Sequence, residues 1–304
     1  MRTAFLKALE EEAARDERIN LVVGDLGYSV VEPFMNRYPD RFVNAGVAEQ
    51  NMTGLAAGMA LSGRVVFTYS IANFPTLRCL EQIRNDVCYH NANVKIVSVG
   101  GGLAYGALGA SHQATEDLAV LRALPGMTVV APGDPVEAAA AVKAVAAHDG
   151  PCYLRLGKAG EPVVHQKPIS FMLGRAITVS EGRDVTLIST GGVLALCVKA
   201  AQALEAEGVS VRLLSMPTVK PLDAKAVVAA ARETKGLVTV EEHSAIGGLG
   251  SAVAETLAGA DVQARLRVVA LPDKFCRVVG SQDYLREATG LTEAAVLKAA
   301  RSLL

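Results

Sequence analysis

At 304 residues the chain is too long for most single cores and suits two domains, or one large α/β domain with an appendage. Hydrophobic residues make up 51% of it while aromatics make up only 5%, so the core must be built from Ala, Val and Leu, an α/β composition. Thirty basic side chains against thirty-one acidic ones leave no basic stripe for a nucleic-acid backbone, and no apolar run approaches membrane length, so a cytoplasmic protein with neither nucleic acid nor membrane as partner is expected.

Helix-period and β-branched segments alternate from end to end. The opening "MRTAFLKALEEEAARDER" alternates apolar and charged residues as an amphipathic helix over residues 3–16, not as a leader peptide. It is followed by "INLVVGD" (Ile19 to Asp25), "RFVNAG", a helix beginning at Glu49, "RVVFTYS" (Arg64 to Ser70), a helix through "TLRCLEQIRNDVCYH", and "VKIVSVG" (Val94 to Gly100). Short continuous apolar runs between helices are the signature of buried parallel strands. "MTVVAPGDPVEAAAAVKAVAAHDGPCYLRLG" repeats the theme, with Asp134 as N-cap and Pro135 at the first helical position. Residues 1–156 therefore read as a doubly wound α/β domain with a parallel sheet.

From Gly157 to Leu173 periodicity fades and Pro, Gly and charge increase, marking a linker. Residues 174–304 read as a smaller α/β domain: strands in "DVTLIST", "SVRLLSM", "GLVTVEE" and "LRVVALP", with helices near 192–207, 223–232 and 248–259.

Cys79, Cys88, Cys152, Cys197 and Cys276 form no CxxC pair and no zinc-spaced cluster, and read as small buried hydrophobes. No P-loop, HExxH or GxSxG occurs. In "NAGVAEQNMTGLAAGMALSG" a single carboxylate, Glu49, precedes Met52, Leu55, Ala56, Met59 and Ala60 at helical spacing. Two readings fit: an acid favouring the helix dipole while touching water, or a buried carboxyl with a raised pKa that exchanges a proton with something bound beside it.

Further phrases sit at strand ends, where open α/β sheets place their sites. They are "VVGDLGYS", "GVAEQNM", "FTYSIANFPTLR", "GGGLAYGALGASHQATEDLAVLR", "PGDPVEAAAAV" and "PTVKPLD". Together, the EQ pair, the "SHQ" and "PTVKPLD" above all, they resemble the C-terminal half of transketolase: the pyrimidine-binding and C-terminal domains of a thiamine diphosphate enzyme, over essentially the whole chain.

That resemblance implies a role for Glu49. In the family a glutamate hydrogen-bonds the aminopyrimidine nitrogen remote from the thiazolium, and by sharing its proton favours the imino tautomer that activates the thiazolium carbon. Apolar Met52, Leu55 and Met59 are expected to shield it. The resemblance also implies Phe74 as the ring that stacks on the pyrimidine, Tyr69 lining the same cleft, and Asp25 and Arg78 beside the cofactor. Ser29 and Arg2 would meet a substrate phosphate, and His112, with Gln113 next to it, would reach substrate oxygens. Where the family has a histidine and an aspartate in its substrate loop, this chain has Gly100 and Leu108, and Arg155 and Lys158 are the nearby candidates for a displaced phosphate-binding arginine.

The GDG pattern that supplies oxygen ligands to the magnesium of such enzymes is missing; "GDL" and "GDP" continue differently. The expectation is therefore one subunit of a split transketolase. An N-terminal partner subunit would carry the Mg²⁺ and diphosphate site, two copies of each chain would form a heterotetramer, and small sugars would be the substrates. The competing readings are the β subunit of a 2-oxoacid dehydrogenase decarboxylase component, distinguished by its donor, and a non-catalytic α/β binding protein in which Glu49 only caps a helix.

Overall fold

Branched apolar runs separated by helices fold into two sheets in the computed structural model, which describes residues 1–304. In chain order the first half contains α1 (Arg2–Ala13), β1 (Ile19–Val23), α2 (Glu32–Arg37), β2 (Phe42–Asn44), α3 (Glu49–Leu61) and β3 (Val65–Ile71). There follow a short α4 (Leu80–Gln82) between a 3-10 turn (Leu77–Cys79) and a π-helical stretch (Ile83–Cys88), then β4 (Val94–Val99), α5 (Asp117–Ala123), β5 (Thr128–Val130), α6 (Pro135–Ala147) and β6 (Cys152–Leu156). The second half contains β7 (Ile177–Ser180), β8 (Val185–Thr190), α7 (Leu194–Ala206), β9 (Val211–Ser215), β10 (Thr218–Lys220), α8 (Ala224–Glu233) and β11 (Leu237–Ser244). It ends with α9 (Leu249–Gly259), β12 (Leu266–Leu271), α10 (Gln282–Thr289) and α11 (Glu293–Arg301).

Alternate residues of the strands in the first sheet bury toward opposite layers of helices, as a doubly wound fold requires. Leu21, Phe67, Val97 and Leu154 pack on Phe5 and Leu9 of α1 and on Val142 and Val145 of α6. On the other face Val22, Val66, Ile96 and Tyr153 pack on Met52 and Ala56 of α3, on Ile83 and Val87, and on Leu118 and Leu121 of α5. Each such fully buried aliphatic side chain is worth roughly 1.5–3 kcal/mol. The second sheet is covered in the same way by α7 and α11 on one face and by α8 and α9 on the other.

The strand order is β10-β5-β6-β4-β3-β1-β2 in the first sheet and β12-β11-β8-β9-β7 in the second. The expected parallel sheet is corrected at one edge: β10, from the "PTVKPLD" phrase of the second half, crosses over and pairs antiparallel with β5. Lys220 on that strand donates to the carbonyls of Arg122 (3.0 Å) and Leu124 (2.5 Å), which caps the C-terminal end of α5. In the second sheet β7 is likewise antiparallel to β9.

Residues 157–173 carry no helix or strand, but they are fastened down. Asp134 caps α6 by accepting from the Glu137 amide (2.8 Å), and its other oxygen accepts from the amides of Val164 and His165 (both 2.9 Å). The His165 ring then meets Glu137 at 2.8 Å. This hydrogen bond to Glu137 raises the His165 pKa above the ordinary 6.5. The clamp's contribution is thus complete below that value and is lost as pH rises through the folded pKa. Amide exchange at Val164 and His165 should therefore be more strongly protected below the His165 pKa than above it, a pH dependence that His165→Ala abolishes. Protection that stays flat through the histidine titration would contradict this.

Candidate active site

The carboxyl ends of β1, β2, β3 and β4 lie side by side, and the loops that leave them converge. Three non-glycine residues there hold left-handed backbone: Asp25 (φ 55°) and Ser29 (φ 62°) after β1, and Ala72 (φ 41°) after β3. Such strain persists only where the surroundings fix it. Asn44, at the end of β2, does so for Asp25: its Oδ1 accepts from the Asp25 and Gly46 amides (both 3.0 Å), and its Nδ2 donates to the Asp25 carboxylate (2.9 Å). Tyr28 donates to the same carboxylate (3.0 Å). These bonds, Asn44 foremost, lower the Asp25 pKa and keep it ionised. For Ala72, the side chains of Thr76 (3.0 Å) and Ser98 (2.9 Å) donate to its carbonyl.

Glu49 opens α3 behind an N-cap, Ala48, that offers no side-chain bond, and it is only 2% exposed. The β1 loop passes over it so closely that a Cβ on Gly24 would lie 3.4 Å from its Cγ. Its Oε2 accepts from Arg78 Nη1 at 2.7 Å. The Arg78 guanidinium in turn lies over the Phe74 ring, 4.5 Å from its centroid, and the His112 ring meets Phe74 edge-on at 5.1 Å. Glu49, Arg78, Phe74 and His112 thus form one line of contact from α3 to the loop after β4. Ser111 Oγ lies 3.0 Å from His112 Nδ1. Gln113 is buried, its carbonyl accepts from Asn73 Nδ2, and both Gln113 Nε2 and Asn73 Oδ1 are without a hydrogen-bond partner. These two groups are left free to bond beside this line.

Other expected residues fall elsewhere. Tyr69 points to the opposite face of the sheet, 2% exposed, with its ring stacked on Phe5 at 5.9 Å, so it underpins the β1 loop at Gly27 instead of lining the cleft of Glu49. Burial pushes its phenol pKa well up. Arg2, in the first turn of α1, sits where its charge is felt by Tyr69 and Tyr105, and its buried Nε has no partner. Ser29 is exposed and its amide donates to Glu32 (2.7 Å). Arg155 is not available to a substrate phosphate: it is 5% exposed, its Nε donates to Asp117 (2.7 Å), and its Nη2 donates to the carbonyls of Ala114 (2.8 Å) and Glu242 (3.0 Å). Lys158 is exposed, with Nζ 5.0 Å from the Tyr105 ring.

One expected neighbour of Glu49 also changes place. Leu55 is 39% exposed, whereas Met59, half-buried, packs against the same cluster as Met52, Ala56, Ala57 and Ala60. Val47, Leu55 and Leu61 face outward with Gly54 and Gly58, where an added Cβ would meet nothing within 4 Å. At Gly100 (φ 88°) a Cβ would collide with the Tyr105 ring at 2.1 Å, so Tyr105 fills the space a larger residue there would need. Leu108 is 55% exposed.

Both halves of the chain have counterparts among known proteins. The model of the transketolase pyrimidine binding domain matches residues 1–160, and that of the transketolase C-terminal domain matches residues 174–296. The chain is 39% identical over 301 residues to a subunit of the apulose-4-phosphate transketolase of Phocaeicola vulgatus, covering 98% of this chain and 96% of that one. It is 39% identical over 304 residues to SqwH, a subunit of the 6-deoxy-6-sulfo-D-fructose transketolase of a Clostridium species, covering 100% and 94%. Among solved structures it resembles a split gene transketolase, described as an inactive β4 tetramer, with a TM-score of 0.91 and 41% identity, covering 100% and 97%.

Proposed function

The chain belongs to the transketolase family, and on that premise we propose that it is the C-terminal subunit of a split transketolase. In this role it transfers a two-carbon ketol unit from a ketose donor to an aldehyde acceptor by means of thiamine diphosphate. The observation that carries the reading is the guanidinium of Arg78. A planar, N–H-donating cation lies on the Phe74 face and donates to the buried Glu49 at 2.7 Å, which is the recognition an aminopyrimidine ring requires: an aromatic face to stack on and a carboxyl to bond a ring nitrogen. The residues present therefore fit the pyrimidine half of the cofactor, with Asp25 ionised nearby.

Thiamine diphosphate, when bound, supplies a nucleophilic carbon able to break and remake a carbon–carbon bond beside a carbonyl. The chain's own side chains do the rest. Glu49 would hold the proton shared with the ring nitrogen; its burial keeps water from levelling that exchange. Phe74 would offer the ring a face to stack on, in the place where the Arg78 guanidinium now lies. His112, on the loop after β4, donates to substrate oxygens as charge builds on them. Tyr105 packed into the space at Gly100, together with Leu108, leaves that loop poor in partners for a sugar phosphate or a donor hydroxyl, which favours substrates outside the usual pentose phosphates.

A partner is part of the proposal. The outward apolar face of α3 beside Glu49 suits an N-terminal subunit with the Mg²⁺ and diphosphate ligands, two copies of each chain being arranged about a two-fold axis. The inactivity stated for the similar β4 assembly supports that requirement. The test is reconstitution: mixing this chain with the partner subunit, thiamine diphosphate and Mg²⁺ should produce ketol transfer that neither chain shows alone. Sustained turnover by the purified single chain, or none by the mixture with any ketose donor, would defeat the reading.

A further inference from the structure

We propose that Glu242, in the second half of the chain, is the positioning residue for the loop that carries His112; the proposal rests on the transketolase reading above. Glu242 lies near the end of β11 and is 2% exposed. Its carboxylate accepts from the Leu103 amide (2.6 Å), from Gln282 Nε2 (2.9 and 3.0 Å) and from Arg286 Nε (2.7 Å), with Arg286 Nη2 also donating. A buried carboxylate saturated by donors from three places is held in one geometry.

What it holds is the base of the substrate loop. Leu103 follows Gly102, which pairs with Ala114 through two backbone bonds, Gly102 amide to Ala114 carbonyl (2.8 Å) and Ala114 amide to Gly102 carbonyl (3.0 Å). The loop closed by that bridge contains His112, two residues before Ala114. The carboxylate grips the leg at Leu103, while the main-chain carbonyl of Glu242 shares Arg155 Nη2 with the carbonyl of Ala114, so the same residue is tied to the other leg. Glycine at Gly102 (φ 66°) is what allows this approach: a Cβ there would lie 2.6 Å from Glu242 Oε1.

Glu242 makes no hydrogen bond or ion pair with Glu49, Arg78 or Phe74, so its loss should act on the placing of substrate and not on the activation of cofactor. Glu242→Gln keeps the shape but turns one oxygen into an N–H donor facing other donors, which frees the loop base. A shift of about 1 Å in a substrate-positioning group can cost ~10²-fold in rate. In the reconstituted complex the variant should lower kcat/KM for ketol transfer ~10- to 100-fold. Proton–deuterium exchange at the thiazolium carbon of bound thiamine diphosphate, which depends on Glu49, should remain at the wild-type rate. Arg286→Lys, which keeps the charge and the Leu103 bond, should retain most of the transfer. Should Glu242→Gln fail to assemble, Gln282→Met removes two of the bonds that steer the carboxylate and should show the same split at smaller amplitude. Unchanged transfer in the variant that folds, or exchange falling in step with transfer, overturns the proposal. Absence of exchange in the wild-type complex would instead overturn the thiamine reading on which it rests.

Discussion

Glu49→Gln should abolish ketol transfer in the reconstituted complex while leaving the fold and much of the cofactor binding intact. The amide is nearly isosteric and can still meet Arg78, now bonded to Glu49 at 2.7 Å, but it cannot share a proton with a ring nitrogen. Loss of a general acid–base role costs at least ~10²-fold, and a cofactor activated through its own tautomer makes a larger loss the expected one. If Glu49 served only to favour the dipole of α3, the same change would cost roughly 0.3–1 kcal/mol of stability and leave the chemistry alone. Thiazolium proton exchange, wild type against variant, decides between them. Exchange and turnover that both survive the substitution would remove Glu49 from the reaction.

The second large effect falls on stability. Asp117→Asn should destabilise the chain by about 3–5 kcal/mol, because it leaves the Arg155 cation buried without its carboxylate. Side-chain exposures of 5% and 0% leave water no access to the pair, and the Tyr153 hydroxyl also donates to Asp117 (2.5 Å). Burial raises the Tyr153 pKa well above its ordinary value, so that hydroxyl keeps its proton and its role as donor. Against a total of about 5–15 kcal/mol for a folded domain this is a large fraction, visible as a lower urea midpoint. The KM for substrates, measured on the folded fraction, should not change. A stable variant with a raised KM would return Arg155 to the substrate site.

The burial of Glu49 was legible in the sequence; that of Arg155 was not. Glu49 was legible because a lone acid at the start of an apolar helix breaks a local pattern, and the EQ and SHQ phrases gave it company. Arg155 stands at a strand end, where sites gather, but the partner that buries it is 38 residues away and no spacing announces it. Tyr69 failed for a different reason: a strand apolar on both faces does not reveal which face each residue serves, and parity placed it on the side of α1. Leu55 misled because a helix apolar all round reads as wrapped by its own chain, whereas this chain wraps one side of α3. Asn44 and Glu242 carry no periodic signal of their own, although three consecutive polar residues, Glu241, Glu242 and His243, closing an apolar strand were a visible anomaly. The three residues of β10 were too few to read as a strand, and their partner β5 lies far back along the chain.

That crossing strand has a consequence in time. The outer edge of β5 is covered by β10, and Thr218 leaves the ribosome about 90 residues after Val130, a delay of roughly 4–18 s at ~5–20 residues per second. Through that interval the nascent first half offers an unpaired apolar edge, the kind of surface that recruits strands from other chains. A gene cut at the junction between the two matched regions would make the exposure permanent, so the first half cannot be carved out as a free-standing module without also supplying the segment around "PTVKPLD".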